Sequence, residues 1–155
     1  MREFKNFLPS SLANELHDKM TSNEFPWFWL DDVTVSPKDR SEVPEFYRSQ
    51  PGMHHTPYRD GTMSTWYGDF SFFYHYIIDT LGLPYDQWYL SRLRCGLNFP
   101  TFREEHFLHN QPHVDFPESS GVDHFTCLYY VNESDGPTVV FEEKEESEKY
   151  NIKYQ

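Results

Sequence analysis

The sequence predicts an α+β domain in which β structure dominates, and three features support this fold class. Phe, Tyr and Trp make up 19% of the residues, so large rings would build much of the core. Helical periodicity is confined to residues 1–85. Later in the chain, β-branched and aromatic runs alternate with turn-forming residues, which is the pattern of short strands.

A single domain spanning residues 1–155 is expected, because this length falls within the usual range for one hydrophobic core. Within it we distinguish a helical and irregular N-terminal part (1–85), the main strands (86–141) and a charged segment (142–155). A run of charged residues without apolar periodicity is typical of a solvated connection.

Two helices are predicted in the N-terminal part. Ser10 or Ser11 can cap the first, which would span about three turns. Its apolar face consists of Leu12, Leu16 and Met20. The second helix covers residues 65–82, where Trp and Phe recur at helical spacing, and Gly82 is expected to end it.

Five further strands are predicted. One begins just after Pro26 and runs to residue 30, because proline is tolerated at a strand start. Residues 31–62 look like irregular connections with one short strand, near 46–48 or 53–58. The remaining strands are expected at 87–99, 126–131 and 138–141, with turn chemistry at 132–137.

Charge and composition restrict the partners and the compartment. The net charge is −12, and 13 basic residues are scattered among 25 acidic ones, which disfavours nucleic acid as a partner. No apolar run is long enough to span a membrane, and the N-terminus lacks the apolar core of a signal peptide. Cys95 and Cys127 are expected to be buried free thiols in a reducing cytoplasm.

The candidate metal ligands are His113 and Asp115, separated by Val114. On a strand, residues i and i+2 point to the same face about 6.6 Å apart, so the two side chains can converge on one cation. One strand can thus supply two ligands of the 2-His-1-carboxylate triad that binds Fe(II). A zinc site that also uses His106 and His109 is an alternative, although thiolates and helical His spacing are missing. The absence of any metal is a third reading.

Three further histidines are not predicted to bind a metal ion. His54 and His55 are adjacent and point in different directions, so they make a poor chelate, and we expect a packing or solvated role. His124 precedes the strand predicted at 126–131 and is expected to mark its start.

The segment Gln111–Phe141 resembles the 2-oxoglutarate/Fe(II)-dependent dioxygenases, in particular their prolyl-hydroxylase-like branch. The residues that carry the resemblance are His113-Val-Asp115, Thr126-Cys-Leu-Tyr-Tyr-Val-Asn132 and Gly136-Pro-Thr138. It implies a double-stranded β-helix, or jelly-roll, core with N-terminal helices packed on one sheet. It also implies Fe(II) and 2-oxoglutarate as cofactor and co-substrate, with a protein or small molecule as the substrate.

The resemblance extends to the co-substrate pocket. In the family, a tyrosine at the position of Tyr130 contacts the distal carboxylate of 2-oxoglutarate. Alternation along the strand would put Leu128 on the same face, so it is a second candidate for the pocket wall. Asn98, at the end of the strand predicted at 87–99, is a third candidate.

One departure from the family pattern concerns the third ligand. Family members carry a His about 50 or more residues after the His-x-Asp motif, followed by an Arg that pairs with 2-oxoglutarate. His124 matches no ligand position of the family, and the segment after Phe141 contains neither a His nor an Arg. The last strands of the jelly roll would be missing too, which leaves sheet edges open to association. We therefore expect a fragment of a longer protein, completion by a second chain such as a homodimer partner, or an inactive relative.

The sequence thus predicts an Fe(II)- and 2-oxoglutarate-dependent oxygenase, a hydroxylase in reaction type. A non-catalytic jelly-roll module that binds a ligand or partner is the alternative from another class. A cupin-type metalloenzyme is less favoured, because cupins usually cluster more histidines on the first ligand strand.

Overall fold

The computed structural model describes residues 2–33, 51–99, 113, 121–134 and 138–141, together with the backbone of Ile152–Tyr154. The chain divides into two compact units. The first unit comprises Met1–Phe25 and Arg103–Gln155, and the second comprises Pro26–Phe102. Helices and antiparallel strands both occur, so the predicted α+β class is confirmed at this level.

Helix α1 of the first unit spans Ser10–Thr21, and the predicted three-turn helix is confirmed. Leu16 is its buried residue, with 2% of its surface exposed. The predicted serine cap is wrong: the helix starts after Pro9, and no side chain caps α1 in the structure. Proline supplies a suitable φ at this boundary without needing a hydrogen-bond donor.

The second unit is built on a four-stranded antiparallel sheet. Its strands are β1 (Phe28–Leu30), β2 (Gly52–Arg59), β3 (Thr62–Met63) and β4 (Arg92–Asn98). The long strand β2 is central and pairs with all three others. A strand near 53–58 is thereby confirmed, while the alternative at 46–48 lies outside the described residues. The strands predicted between Pro26 and residue 30 and at 87–99 exist but are shorter.

Pro57 lies inside β2, which is an unusual position for proline in a central strand. Proline cannot donate to a β ladder and is usually confined to edges or bulges. The pairing between β2 and β4 shifts register between His55 and Tyr58, so Pro57 falls within the irregularity. The Pro57 carbonyl accepts a hydrogen bond from the Ser64 N–H at 2.9 Å.

An Asp-Gly turn joins β2 to β3. Asp60 and Gly61 have φ values of 45° and 87°, as a tight hairpin with two left-handed residues requires. Asp60 also receives a hydrogen bond from the Ser91 hydroxyl at 3.0 Å, which ties the turn to the segment before β4.

The helix predicted at 65–82 forms two consecutive pieces, α2 (Tyr67–Phe70) and α3 (Phe72–Leu81). Ser71 between them keeps right-handed helical angles, so the break is slight. Gly82 ends α3 with φ 65°, and the Leu83 N–H bonds back to the Ile78 carbonyl at 3.0 Å. The predicted glycine stop is therefore confirmed.

The predicted core strand at 126–131 is wrong. Residues 121–130 have no regular secondary structure, and most of their side chains are exposed. The strand predicted at 138–141 is present in part as β5 (Val140–Phe141), which pairs antiparallel with β6 (Ile152–Tyr154). β6 arises within the segment that we expected to be a charged connection.

The two cysteines differ in environment. Both are free, but Cys95 on β4 is buried whereas Cys127 is exposed, so the expectation of burial is right for Cys95 only. Burial raises the pKa of the Cys95 thiol to about 12, and this side chain stays protonated at neutral pH.

Across the described ranges, no helix is both long and apolar enough to cross a lipid bilayer.

Candidate functional site

Of the two predicted metal ligands, the structure describes one. His113 is described, and its side chain is exposed to solvent. Asp115, together with His106 and His109 of the zinc alternative, lies outside the described residues. Among the residues that are described, no three His, Cys, Asp or Glu side chains gather into a metal-binding group. The His113–Asp115 pair therefore remains a prediction.

The predicted co-substrate residues are not brought together on one strand face. Leu128 and Tyr130 belong to the irregular segment and expose 68% and 55% of their surfaces. Since no strand forms there, alternation cannot assign them to a common face. Asn98 lies exposed at the end of β4 in the second unit.

His124 does not start a strand in the structure. Its imidazole is exposed, and Nδ1 lies 3.2 Å from the Val122 carbonyl oxygen. In the same unit, the Tyr129 ring lies 6.5 Å from the Phe7 ring, measured between centroids. Tyr129 is half-buried, whereas its neighbour Tyr130 is exposed.

The second unit contains a polar pair that sequence reasoning missed. His55 on β2 is buried, with 5% of its surface exposed, and its Nε2 lies 3.0 Å from the Ser64 hydroxyl oxygen. Ser64 follows β3, so the tight hairpin brings the two residues together. The same oxygen accepts a hydrogen bond from the Trp66 N–H at 3.2 Å. Our expectation of a packing role fits the burial of His55, but not its polar contact.

Several forces act on the pKa of His55. Burial lowers it, because a charged imidazolium loses hydration in the interior, and the nearby His54 lowers it further. A hydrogen bond with the Pro26 backbone opposes both effects. The net shift is downward from 6.5, so the ring is neutral at pH 7.

A shallow cavity of about 500 Å³ lies beside this pair. It is lined by Thr56, Arg59, Asp60, Thr62, Met63 and Ser64. The only described charged side chains in this lining are Arg59 and Asp60, whose Nε and Oδ2 atoms are 3.7 Å apart. The cavity is therefore close to electrically balanced and can admit a small uncharged or weakly charged molecule.

The sequence did contain a signal for this pair. Asp60-Gly61 between two short β-favouring runs is a strong hairpin pattern. A hairpin with that turn pairs Tyr58 with Met63, so Ser64 falls opposite Pro57 and two residues away from His55 along β2. The turn therefore indicated that His55 and Ser64 lie near each other, but their burial and hydrogen bond were not readable.

Fold and geometry together define an α+β protein with an open antiparallel sheet and a His–Ser pair whose histidine is buried. Comparison with protein-family models, curated proteins and solved structures finds no significant match to this chain.

Proposed function

We propose that the chain is an Fe(II)- and 2-oxoglutarate-dependent oxygenase with a jelly-roll core, acting as a hydroxylase on a protein or small molecule. One observation carries the proposal: the motif His113-Val-Asp115 is followed by Thr126-Cys-Leu-Tyr-Tyr-Val-Asn132 and Gly136-Pro-Thr138 in the order of that family. The oxygenase motif, rather than the overall composition, points to this chemistry.

Three structural features are compatible with this function. The chain is α+β and forms antiparallel sheets, and β5 follows the motif closely in sequence. The imidazole of His113 is exposed and so accessible to a metal ion. Both cysteines are free, which agrees with a reducing compartment such as the cytoplasm.

The donor chemistry of the motif suits Fe(II). One imidazole and one carboxylate are two thirds of a facial triad, and the third position would be filled by water, by another part of the protein or by a partner chain. Bound iron and 2-oxoglutarate would supply the oxidising power. The residues of this chain would hold the co-substrate: the Tyr130 hydroxyl would donate to its distal carboxylate, and Leu128 is a candidate for the pocket wall.

An anaerobic titration with Fe(II) and 2-oxoglutarate tests the proposal. We expect a visible charge-transfer band in the wild-type chain that is lost in His113→Ala and in Asp115→Ala. His124→Ala is the matched control, because it removes another exposed imidazole of the first unit. A folded wild-type chain without a band, or a band that survives both ligand substitutions, would refute the assignment.

A non-catalytic binding module is the second candidate, and the exposed apolar side chains of the irregular segment favour it. Val122, Phe125 and Leu128 expose 50%, 58% and 68% of their surfaces. Contiguous exposed apolar surface often marks a contact site. A module of this type would bind its partner without dependence on Fe(II), His113 or Asp115, so the same variants separate the two functions.

A further inference from the structure

We propose that Ser64 and His55 form a nucleophile–base pair that hydrolyses small esters at the cavity beside β3. This activity is independent of the iron chemistry proposed above and lies wholly within the second unit. Ser64 would attack the ester carbonyl carbon, and His55 would accept the hydroxyl proton. A histidine within hydrogen-bond reach is the usual way to activate a serine, whose hydroxyl is otherwise a weak nucleophile.

The hydrogen bonds around Ser64 orient its proton toward His55. Because the Trp66 N–H donates to the Ser64 oxygen at 3.2 Å, that oxygen acts there as an acceptor. Its own hydrogen can then point along the 3.0 Å contact to His55 Nε2.

Transfer of the Ser64 proton requires the His55 tautomer that carries its hydrogen on Nδ1, because Nε2 must then be the acceptor. The 3.0 Å distance between Nε2 and the Ser64 oxygen suits that tautomer. Burial lowers the pKa of His55, which favours the neutral ring that a general base must present.

The cavity supplies a place for the substrate. Ser64 is half-buried and lines the cavity, whereas His55 is buried and is not part of the lining. A volume of about 500 Å³ falls within the range of small-molecule sites. Met63 gives apolar contact, and the hydroxyls of Thr56 and Thr62 can hydrogen-bond to a polar group.

The reaction balances with water as the only co-reactant. The Ser64 oxygen forms a bond to the acyl carbon, the ester C–O bond breaks, and the proton held by His55 passes to the departing alcohol. Water then attacks the acyl-serine with His55 again as base. The carboxylic acid leaves and Ser64 regains its proton.

Labelling with a small alkyl fluorophosphonate provides the test. The serine oxygen displaces fluoride from phosphorus, and the adduct is located by intact mass and peptide mapping. We expect one adduct, on Ser64, that Ser64→Ala abolishes and Ser71→Ala leaves unchanged. Ser71 is the matched control because its hydroxyl donates to the Gly68 carbonyl. General-base assistance should make Ser64 react at least about 100-fold faster than Ser71.

A pH profile of the wild-type labelling rate tests His55 without a substitution that could disturb the core. The ionisable groups around its ring are His54 on the same strand and Cys95, its register partner on β4, which stays protonated. The rate should rise to a plateau by about pH 7, once His55 is neutral. The proposal is overturned if the folded protein gives no Ser64 adduct, labels Ser71 equally, or shows a rate that keeps rising with hydroxide.

Discussion

The central strand β2 and the irregular segment 121–130 show how differently two β-favouring sequences can behave. β2 contains Pro57 and two histidines, yet it pairs with strands on both sides. The segment around Leu128 contains β-branched and aromatic residues in succession, yet it forms no strand and stays exposed. Propensity is thus a weaker determinant than the availability of pairing partners and apolar cover.

Two histidines repeat the contrast on a smaller scale. His55 is buried and hydrogen-bonded to a serine, although nothing in its immediate neighbours marks it as functional. His113 belongs to a recognisable motif, yet its imidazole is exposed. The second unit therefore contains a polar contact that no sequence motif announces. In the first unit there is a recognisable motif, of which the structure describes His113 but not Asp115.

The largest expected loss of stability follows from removing a buried aromatic side chain next to β2. Phe70 in α2 exposes 2% of its surface, and α2 packs against β2. Phe70→Ala should lower the free energy of unfolding by about 3–5 kcal/mol, because it leaves a cavity as well as losing burial. Urea denaturation followed by fluorescence would measure this. A loss below about 1 kcal/mol would show that the second unit is not held by this contact.

A smaller loss of stability is expected for a substitution at Gly52, the first residue of β2. A Cβ on Gly52 would lie 2.6 Å from Val33 Cγ1 and 2.7 Å from the Leu97 carbonyl oxygen. The carbonyl belongs to a paired strand and cannot move away easily, so Gly52→Ala should cost about 1–3 kcal/mol.

Gly96→Ala on β4 is the control for that substitution, since no heavy atom lies within 4 Å of its new Cβ. We expect it to be neutral or slightly stabilising in the same denaturation experiment. Equal effects of the two substitutions would contradict the close packing around Gly52.

The third prediction concerns pH. The folded-state pKa of His55 is lowered, so the unfolded chain binds a proton more readily than the native one. The stabilising contribution is fully present above the unfolded pKa of about 6.5 and is lost as the pH falls toward the lowered folded value. Urea midpoints measured between pH 8 and pH 5 should therefore decrease below about pH 6.5. His55→Gln should flatten this part of the profile, whereas His124→Gln should not.

The smallest change in stability is expected for a substitution in the irregular segment 121–130. Leu128→Ala removes a side chain with 68% of its surface exposed, so it should change the free energy of unfolding by no more than about 0.5 kcal/mol. The same denaturation assay applies. A loss of several kcal/mol would mean that Leu128 is covered in solution and that the contrast with β2 is wrong.

The sequence by itself determined the elements that depend on local chemistry. The helical spacing of Leu12 and Leu16 predicted α1, and Gly82 predicted the end of α3 because glycine adopts a left-handed φ at little cost. The His113-Val-Asp115 motif is likewise a local pattern, and it carries the proposed oxygenase function.

Tertiary structure alone decided which β-favouring stretch became a strand and which polar side chains met. β2 is central because strands distant in sequence pair with it, and the contact of His55 with Ser64 follows from that sheet and its hairpin. Residues 121–130 lack such pairing despite their composition. A strand satisfies its backbone hydrogen bonds through neighbouring strands, so no single stretch of sequence determines it alone.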